Sequence, residues 1–173
     1  MKCILITGIS GVGKSSVIVE LLQLGYKAVD LDQETYSEWV AVTDDSNTPG
    51  EPVEPDRDWV WQEGKVRTLL ATEDANTLTV SGTAANMGQF LPEFNHVILL
   101  SAPADLIAQR LKGRTGNAYG KHPDEVARVL DLKHSVEPLL RKASGHEIVT
   151  TTPLQDVVDK VVEIIESDGT QEA

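Results

Sequence analysis

Read from its amino end, the chain alternates short unbroken apolar runs with longer segments in which apolar residues recur every three or four positions. Residues 2–8, KCILITG, form such a run and read as a strand buried on both faces. In residues 14–25, KSSVIVELLQLG, apolar side chains at 17, 18, 21, 22 and 24 keep a helical period that Gly25 stops. The pattern then predicts further strands at YKAVDLD (26–32), NTLTVSG (76–82), HVILLSA (96–102) and HEIVT (146–150). Between them, WVWQEGKVRTLLATED (59–74), PADLIAQRLKG (103–113), the long amphipathic DEVARVLDLKHSVEPLLRKA (124–143) and PLQDVVDKVVEIIE (153–166) read as helical. The third of these strands, NTLTVSG, and the fourth, HVILLSA, are separated by a loop.

Strands alternating with helices predict an α/β fold, a three-layer α-β-α arrangement of a five-stranded parallel sheet with helices on both faces. Two stretches break the rhythm. Residues 33–58 contain VTDDSNTPGEPVEPDRD, with three prolines and many carboxylates, and a loop of that length in a compact domain is usually functional or mobile. Residues 114–123, RTGNAYGKHP, are rich in glycine and basic groups and are expected to form a small lid. One domain over residues 1–167 accounts for the chain, with 168–173 expected to be a disordered tail.

Charge narrows the field of partners. The 27 acidic against 15 basic side chains give a net charge of −12 over 173 residues. That argues against nucleic acid or an anionic membrane as main partner. Any anion must be held by local positive charge inside a negative envelope. Cys3 is the single cysteine, its apolar neighbours place it in a buried strand, and the four histidines are too scattered for a zinc site. With neither a signal-like start nor a membrane-length apolar run, a cytoplasmic protein is expected, monomeric or homodimeric.

Between the first strand and the first helix stands GISGVGKSS, residues 8–16, which from Gly8 spells Gly-x-x-x-x-Gly-Lys-Ser. That is the phosphate-binding loop (Walker A) in its confirming strand–loop–helix context. Glycines at 8, 11 and 13 let successive N–H groups turn toward one phosphate, and the following helix adds its positive end. Nucleotide phosphates are therefore expected against Gly8, Ile9, Ser10, Gly11, Val12, Gly13, Lys14, Ser15 and Ser16. Lys14 would charge-stabilise the β/γ-phosphates of ATP, and Ser15 would offer its hydroxyl to Mg²⁺.

Asp30 and Asp32 end the second strand, and their alternate spacing puts both carboxylates on one side, beside the phosphate loop. Such a pair can hold Mg²⁺ through water and take a proton from an attacking hydroxyl. Arg110 and Arg114, with Lys121 and Arg128, make the densest basic stretch, and arginines over a triphosphate stabilise phosphoryl transfer. Around an acceptor, Arg57, Arg67, Trp39, Trp59 and Trp61 are candidates. Read as helical, Trp59 and Trp61 fall on different faces, so one is expected in the core and the other can line a pocket. Carboxylates crowding 33–58 suit a neutral, polyhydroxylated or cationic acceptor better than a highly anionic one.

These motifs together resemble the small P-loop kinases of the adenylate kinase and shikimate kinase group, over nearly the whole chain to about residue 167. DLD at 30–32 is similar to the Asp-x-Asp of shikimate and gluconate kinases, which implies that Asp30 assists Mg²⁺ and Asp32 meets the substrate hydroxyl. RLKGR resembles the start of an adenylate kinase lid, implying that Arg110 packs on adenine and Arg114 reaches the phosphates. The resemblance gives Arg128 another phosphate contact. It sets the loop with Thr151 and Pro153 around the base. After the third strand, however, the chain reads SGTAANMGQF. It has neither the Asp-Gly-x-Pro-Arg of nucleoside monophosphate kinases nor the triple glycine of shikimate kinases. WVWQEGKV also lacks the arginine that grips a carboxylate in shikimate kinases. Gly82 would let substrate approach the backbone, with Thr83 and Asn86 offering hydrogen bonds.

Three functions fit these residues. One is a kinase moving the γ-phosphoryl group of Mg-ATP to a small-molecule hydroxyl. A second is a nucleotide kinase of unusual specificity, with Arg57, Arg67 and Arg128 as phosphate contacts. The third is an ATP-dependent regulator without an acceptor, although the chain has no Asp-x-x-Gly switch after the third strand and no Asn-Lys-x-Asp guanine reader.

Overall fold

The computed structural model describes residues 1–42, 54–115 and 120–167. Its centre is β1 (Lys2–Thr7), whose residues 3–7 are all buried. Around it β2 (Lys27–Asp30), β5 (Thr77–Ser81), β6 (His96–Ser101) and β7 (His146–Val149) complete a parallel sheet in the order β2-β5-β1-β6-β7. The α/β class and the five parallel strands are those expected from the apolar runs. Ile6 of β1 lies beside Ser81 of β5 and Ile98 of β6. Neighbours thus diverge to either side of β1, and open sheets of this kind bind ligands in the crevice beyond the carboxyl ends of such strands.

Side-chain alternation splits the core in two. Ile4, Ile6, Ile98 and Leu100 point to one face, where α1 (Lys14–Gln23), α3 (Ala104–Gly113) and α6 (Leu154–Glu166) supply Val17, Leu21, Ile107, Val158 and Val161. Cys3, Leu5, Val97 and Leu99 point to the other, against Val66 and Leu70 of α2 (Glu63–Ala71), Phe90 and Leu140. Cys3 is buried there as expected. Gly25, at φ +88°, ends α1 in a left-handed turn.

Two expectations are corrected. Residues 59–74 are not one helix: β4 (Arg57–Trp61) pairs antiparallel with β3 (Ser37–Ala41), setting Trp39 opposite Trp59, and only 63–71 are helical. Alternating Asp-Trp-Val-Trp suits a half-buried strand, which the adjacent helical rhythm obscured. Trp59 and Trp61 therefore share a face of a ribbon. Trp61 is 1% exposed and packs on Phe90, whereas Trp59 meets the Trp39 ring edge-on at 5.0 Å. Likewise 124–143 is two helices, α4 (Pro123–Ser135) and α5 (Glu137–Ala143), because Pro138 cannot donate within a continuous helix and the chain turns at Val136. A short 3₁₀ helix, Met87–Glu93, follows β5. Residues 116–119 of the expected lid, 43–53 of the long excursion and the 168–173 tail lie outside the described residues.

Candidate active site

The phosphate loop leaves β1 through Gly8. A Cβ there would stand 2.4 Å from the Leu100 carbonyl oxygen, so no other residue fits. Gly13 has open space around it but holds φ +105° at the start of α1. Ile9 and Val12 are buried and anchor the loop through the core, Gly11 packs against Ile107 and Leu111, and Ser10 faces the cleft. No side chain caps the start of α1, so its first-turn N–H groups are available to an anion. Ser16 is exposed on that turn.

Lys14, only 8% exposed, folds over this loop. Its Nζ donates to the Gly8 carbonyl at 2.7 Å and lies 3.4 Å from Oδ2 of Asp32. Beside it, the Ser15 hydroxyl donates to Asp30 Oδ2 at 2.5 Å, while Asp30 Oδ1 accepts from Ser81 and from the Asp32 backbone, both at 3.1 Å. Asp32 Oδ1 accepts the Thr83 N–H at 3.0 Å. Burial pushes the Asp32 carboxyl above its ordinary value, against the opposing pull of Lys14 and the Thr83 N–H. The two aspartates expected beside the loop do stand there, each with a different partner.

The end of β5 braces them. A Cβ at Gly82 would come within 3.0 Å of Asp32 Oδ1 and 3.1 Å of the Trp61 ring, so glycine allows this close approach. The Thr83 hydroxyl donates to the Gly8 carbonyl at 2.8 Å and accepts the Gly8 N–H at 3.2 Å, tying β5 to the loop. Asn86 lies on the cleft wall, but its amide accepts from Trp61 N–H and donates to Trp61 C=O, each at 2.9 Å. Thr83 and Asn86 thus spend their hydrogen bonds holding the loop and β4.

On the other side Arg110 extends from α3 to the Gly11 and Val12 carbonyls at 3.4 Å each, to Thr150 Oγ1 at 2.8 Å and to the Thr150 carbonyl. Thr150 is 4% exposed and itself donates to the Val12 carbonyl at 2.9 Å. Nothing in the sequence marks Thr150, because its partners arrive from two distant segments. Thr151 and Pro153 follow it on the exposed turn into α6. Arg114 sits at the end of α3 in an extended conformation, off the helix face it was expected to share with Arg110. Arg128 is half-buried on α4 and is not among the cleft-lining residues.

From the loop a cleft of about 1320 Å³ opens. Ser10, Lys14, Asp32 and Thr83 stand along it with Trp39, Arg57 and Trp59 of the β3–β4 ribbon. Val129 and Leu132 of α4, Val136 at the turn between the helices and Leu139 of α5 form an apolar wall that the sequence reading missed. Arg57 bonds Glu54 at 2.9 Å and lies 4.3 Å above the Trp39 ring. Arg67 is exposed on α2, ion-paired with Glu63 and Glu93, and is absent from the cleft lining.

Among the described residues no group of three or more His, Cys, Asp or Glu could cage a metal. The hydroxyl of Ser15 and carboxylate of Asp30 are a pair of hard oxygens in contact. They fit Mg²⁺, which takes one or two protein oxygens and completes its shell with phosphate and water. No helix among these residues is long and apolar enough to cross a membrane.

Comparison with known proteins agrees with this geometry. Residues 4–131 match the AAA domain family. The chain is 27% identical to shikimate kinase 2 of Yersinia enterocolitica over 180 aligned residues, covering 95% of each. Its fold superposes on shikimate kinase from Acinetobacter baumannii, solved in complex with shikimate, with a TM-score of 0.63 at 21% identity over 99% of this chain and 96% of that one. It superposes on a gluconokinase from Sinorhizobium meliloti 1021 with a TM-score of 0.62 at 18% identity, over 99% and 98%. The phosphate loop, the flanking aspartates and the parallel sheet converge with these matches: the chain belongs to the AAA domain family and is similar to the small P-loop kinases of the shikimate and adenylate kinase-like group.

Proposed function

We propose that this protein is a kinase that transfers the γ-phosphoryl group of Mg-ATP to a hydroxyl of a small molecule bound in the cleft. The carrying observation is the 3.4 Å approach of Lys14 Nζ to Asp32 Oδ2, which sets the phosphate-binding charge and a proton acceptor at one end of the same cleft. Lys14 and the α1 N-terminus hold the phosphates. Asp32 takes the hydroxyl proton as the acceptor oxygen bonds to phosphorus and the bond from phosphorus to the ADP oxygen breaks. A carboxyl raised by burial is a stronger base than a solvated one, and a phosphate drawing Lys14 away strengthens it further. Ser15 and Asp30 would hold Mg²⁺, which neutralises charge on the transferring phosphates. Arg110 holds the loop against Thr150 beside the nucleotide.

A nucleotide acceptor has less support, because Arg67 and Arg128 do not line the cleft and Arg57 is paired with Glu54. ATP consumption across sugars, polyols, hydroxy acids, amino alcohols and nucleosides, run beside Asp32→Asn, tests the reading. Acceptor-dependent turnover that falls about a hundredfold or more in the variant is expected. Slow ATP loss indifferent to acceptor and variant favours the regulator instead.

A further inference from the structure

The acceptor end of the cleft has a chemistry unlike one built for a hydroxy acid. Its lining carries the carboxylates Asp32, Glu34, Glu54, Asp58 and Glu125 against the cations Lys14 and Arg57 alone. Both cations are engaged, Lys14 with Asp32 and Arg57 with Glu54. Glu34 has no side-chain partner among the described residues, while Glu125 is spent on the Gly120 and His122 N–H groups. The Trp39–Trp59 pair adds an aromatic surface, and the guanidinium over Trp39 shows that it accommodates a cation within the distance range of cation–π attraction. Opposite stands the apolar wall of α4 and α5.

Resting on the kinase reading of this cleft, we infer that its acceptor is an amine-bearing alcohol with an apolar portion. Its ammonium group is held by Glu34 and the Trp59 face, and its apolar part lies against Val129, Leu132 and Val136. A carboxylate in the same place would meet Glu34, and both cations of the cleft lining, Lys14 and Arg57, are already paired. The hydroxyl points to Asp32 from this seat.

A matched trio tests the inference: 2-amino-1-phenylethanol, 1-phenylethane-1,2-diol and mandelate share a ring and a benzylic hydroxyl but end in ammonium, hydroxyl and carboxylate. Calorimetric titration of each into the protein with Mg²⁺ and a non-hydrolysable ATP analogue is expected to rank them in that order, with about tenfold between first and last. Glu34→Gln, at an exposed position, should shrink that ratio to about threefold or less, and Trp59→Leu should weaken the amine alone. Equal or tighter binding of mandelate, no binding by any member, or a preference untouched by both variants would overturn it. Transfer measured on the same trio separates the two claims. Preferred binding of the amine without any phosphorylated product sinks the kinase reading and leaves the site's charge preference standing. Phosphorylated mandelate does the reverse.

Discussion

At the scale of single residues, Asp32 carries the most consequence. Its carboxyl is raised by burial, with Lys14 and the Thr83 N–H pulling the other way. A base must be ionised to accept a proton, so turnover should fall as pH drops through the folded-state value, at a higher pH than for a solvated aspartate. The same shift acts on stability with a definite sign. Because the folded protein holds this proton more tightly than the unfolded chain, ionising Asp32 costs stability as pH rises from the ordinary value of 3.8 through the folded one. Melting temperatures across that range should show the wild type losing ground to Asp32→Asn as pH increases. A gap that stays constant would mean the carboxyl is not raised. Nucleotide affinity of the variant should change little beside its loss of turnover, since Lys14 retains the Gly8 carbonyl and the loop is anchored elsewhere.

At the scale of elements, the β3–β4 ribbon lines the cleft with Trp39, Arg57 and Trp59. It is held to the sheet through Asn86, whose amide makes both hydrogen bonds to the Trp61 backbone, and through the Ala85 N–H on Trp59 C=O. Asn86→Ala leaves a buried donor and acceptor unmatched and should cost about 1–3 kcal/mol by urea unfolding. It should also raise the acceptor KM more than it lowers kcat, because the ribbon loosens while Lys14 and Asp32 stay. An unchanged KM would detach the ribbon from acceptor binding. This ribbon is also where sequence reading reached its limit. The phosphate loop and Asp30–Asp32 were legible because their chemistry is local, and the sheet strands because burial on both faces leaves uninterrupted apolar runs. Trp59 and Trp61 were misassigned because their strand partner, 37–41, lies across a long polar stretch and a true helix begins two residues later. The α4–α5 break was hidden by an amphipathic rhythm that continues through Pro138.

At the scale of the whole molecule, the phosphate loop is the place where β1, β5, α3 and the chain after β7 meet. Thr83 ties it to β5 on one side, and the Arg110–Thr150–Val12 cluster ties it to α3 and β7 on the other. Thr150→Val keeps the shape but strips the hydroxyl from two buried partners. It should cost about 1–3 kcal/mol of stability and weaken ATP binding. Stability loss with unchanged affinity would confine Thr150 to the fold. Farther out, Glu137 is buried between Lys133 at 2.9 Å and Arg141 at 2.9 Å, and Arg141 reaches Glu147 of β7 at 2.8 Å. That network fixes the apolar cleft wall to the sheet edge.

The central claim is that phosphate moves from ATP to an acceptor and not to water. Phosphorus NMR of the protein with Mg-ATP and a consumed acceptor tests it most directly. A new phosphomonoester resonance should grow in step with ADP, be lost in Lys14→Ala and nearly vanish in Asp32→Asn. ADP accompanied by inorganic phosphate alone, at a rate no acceptor changes, would contradict the account.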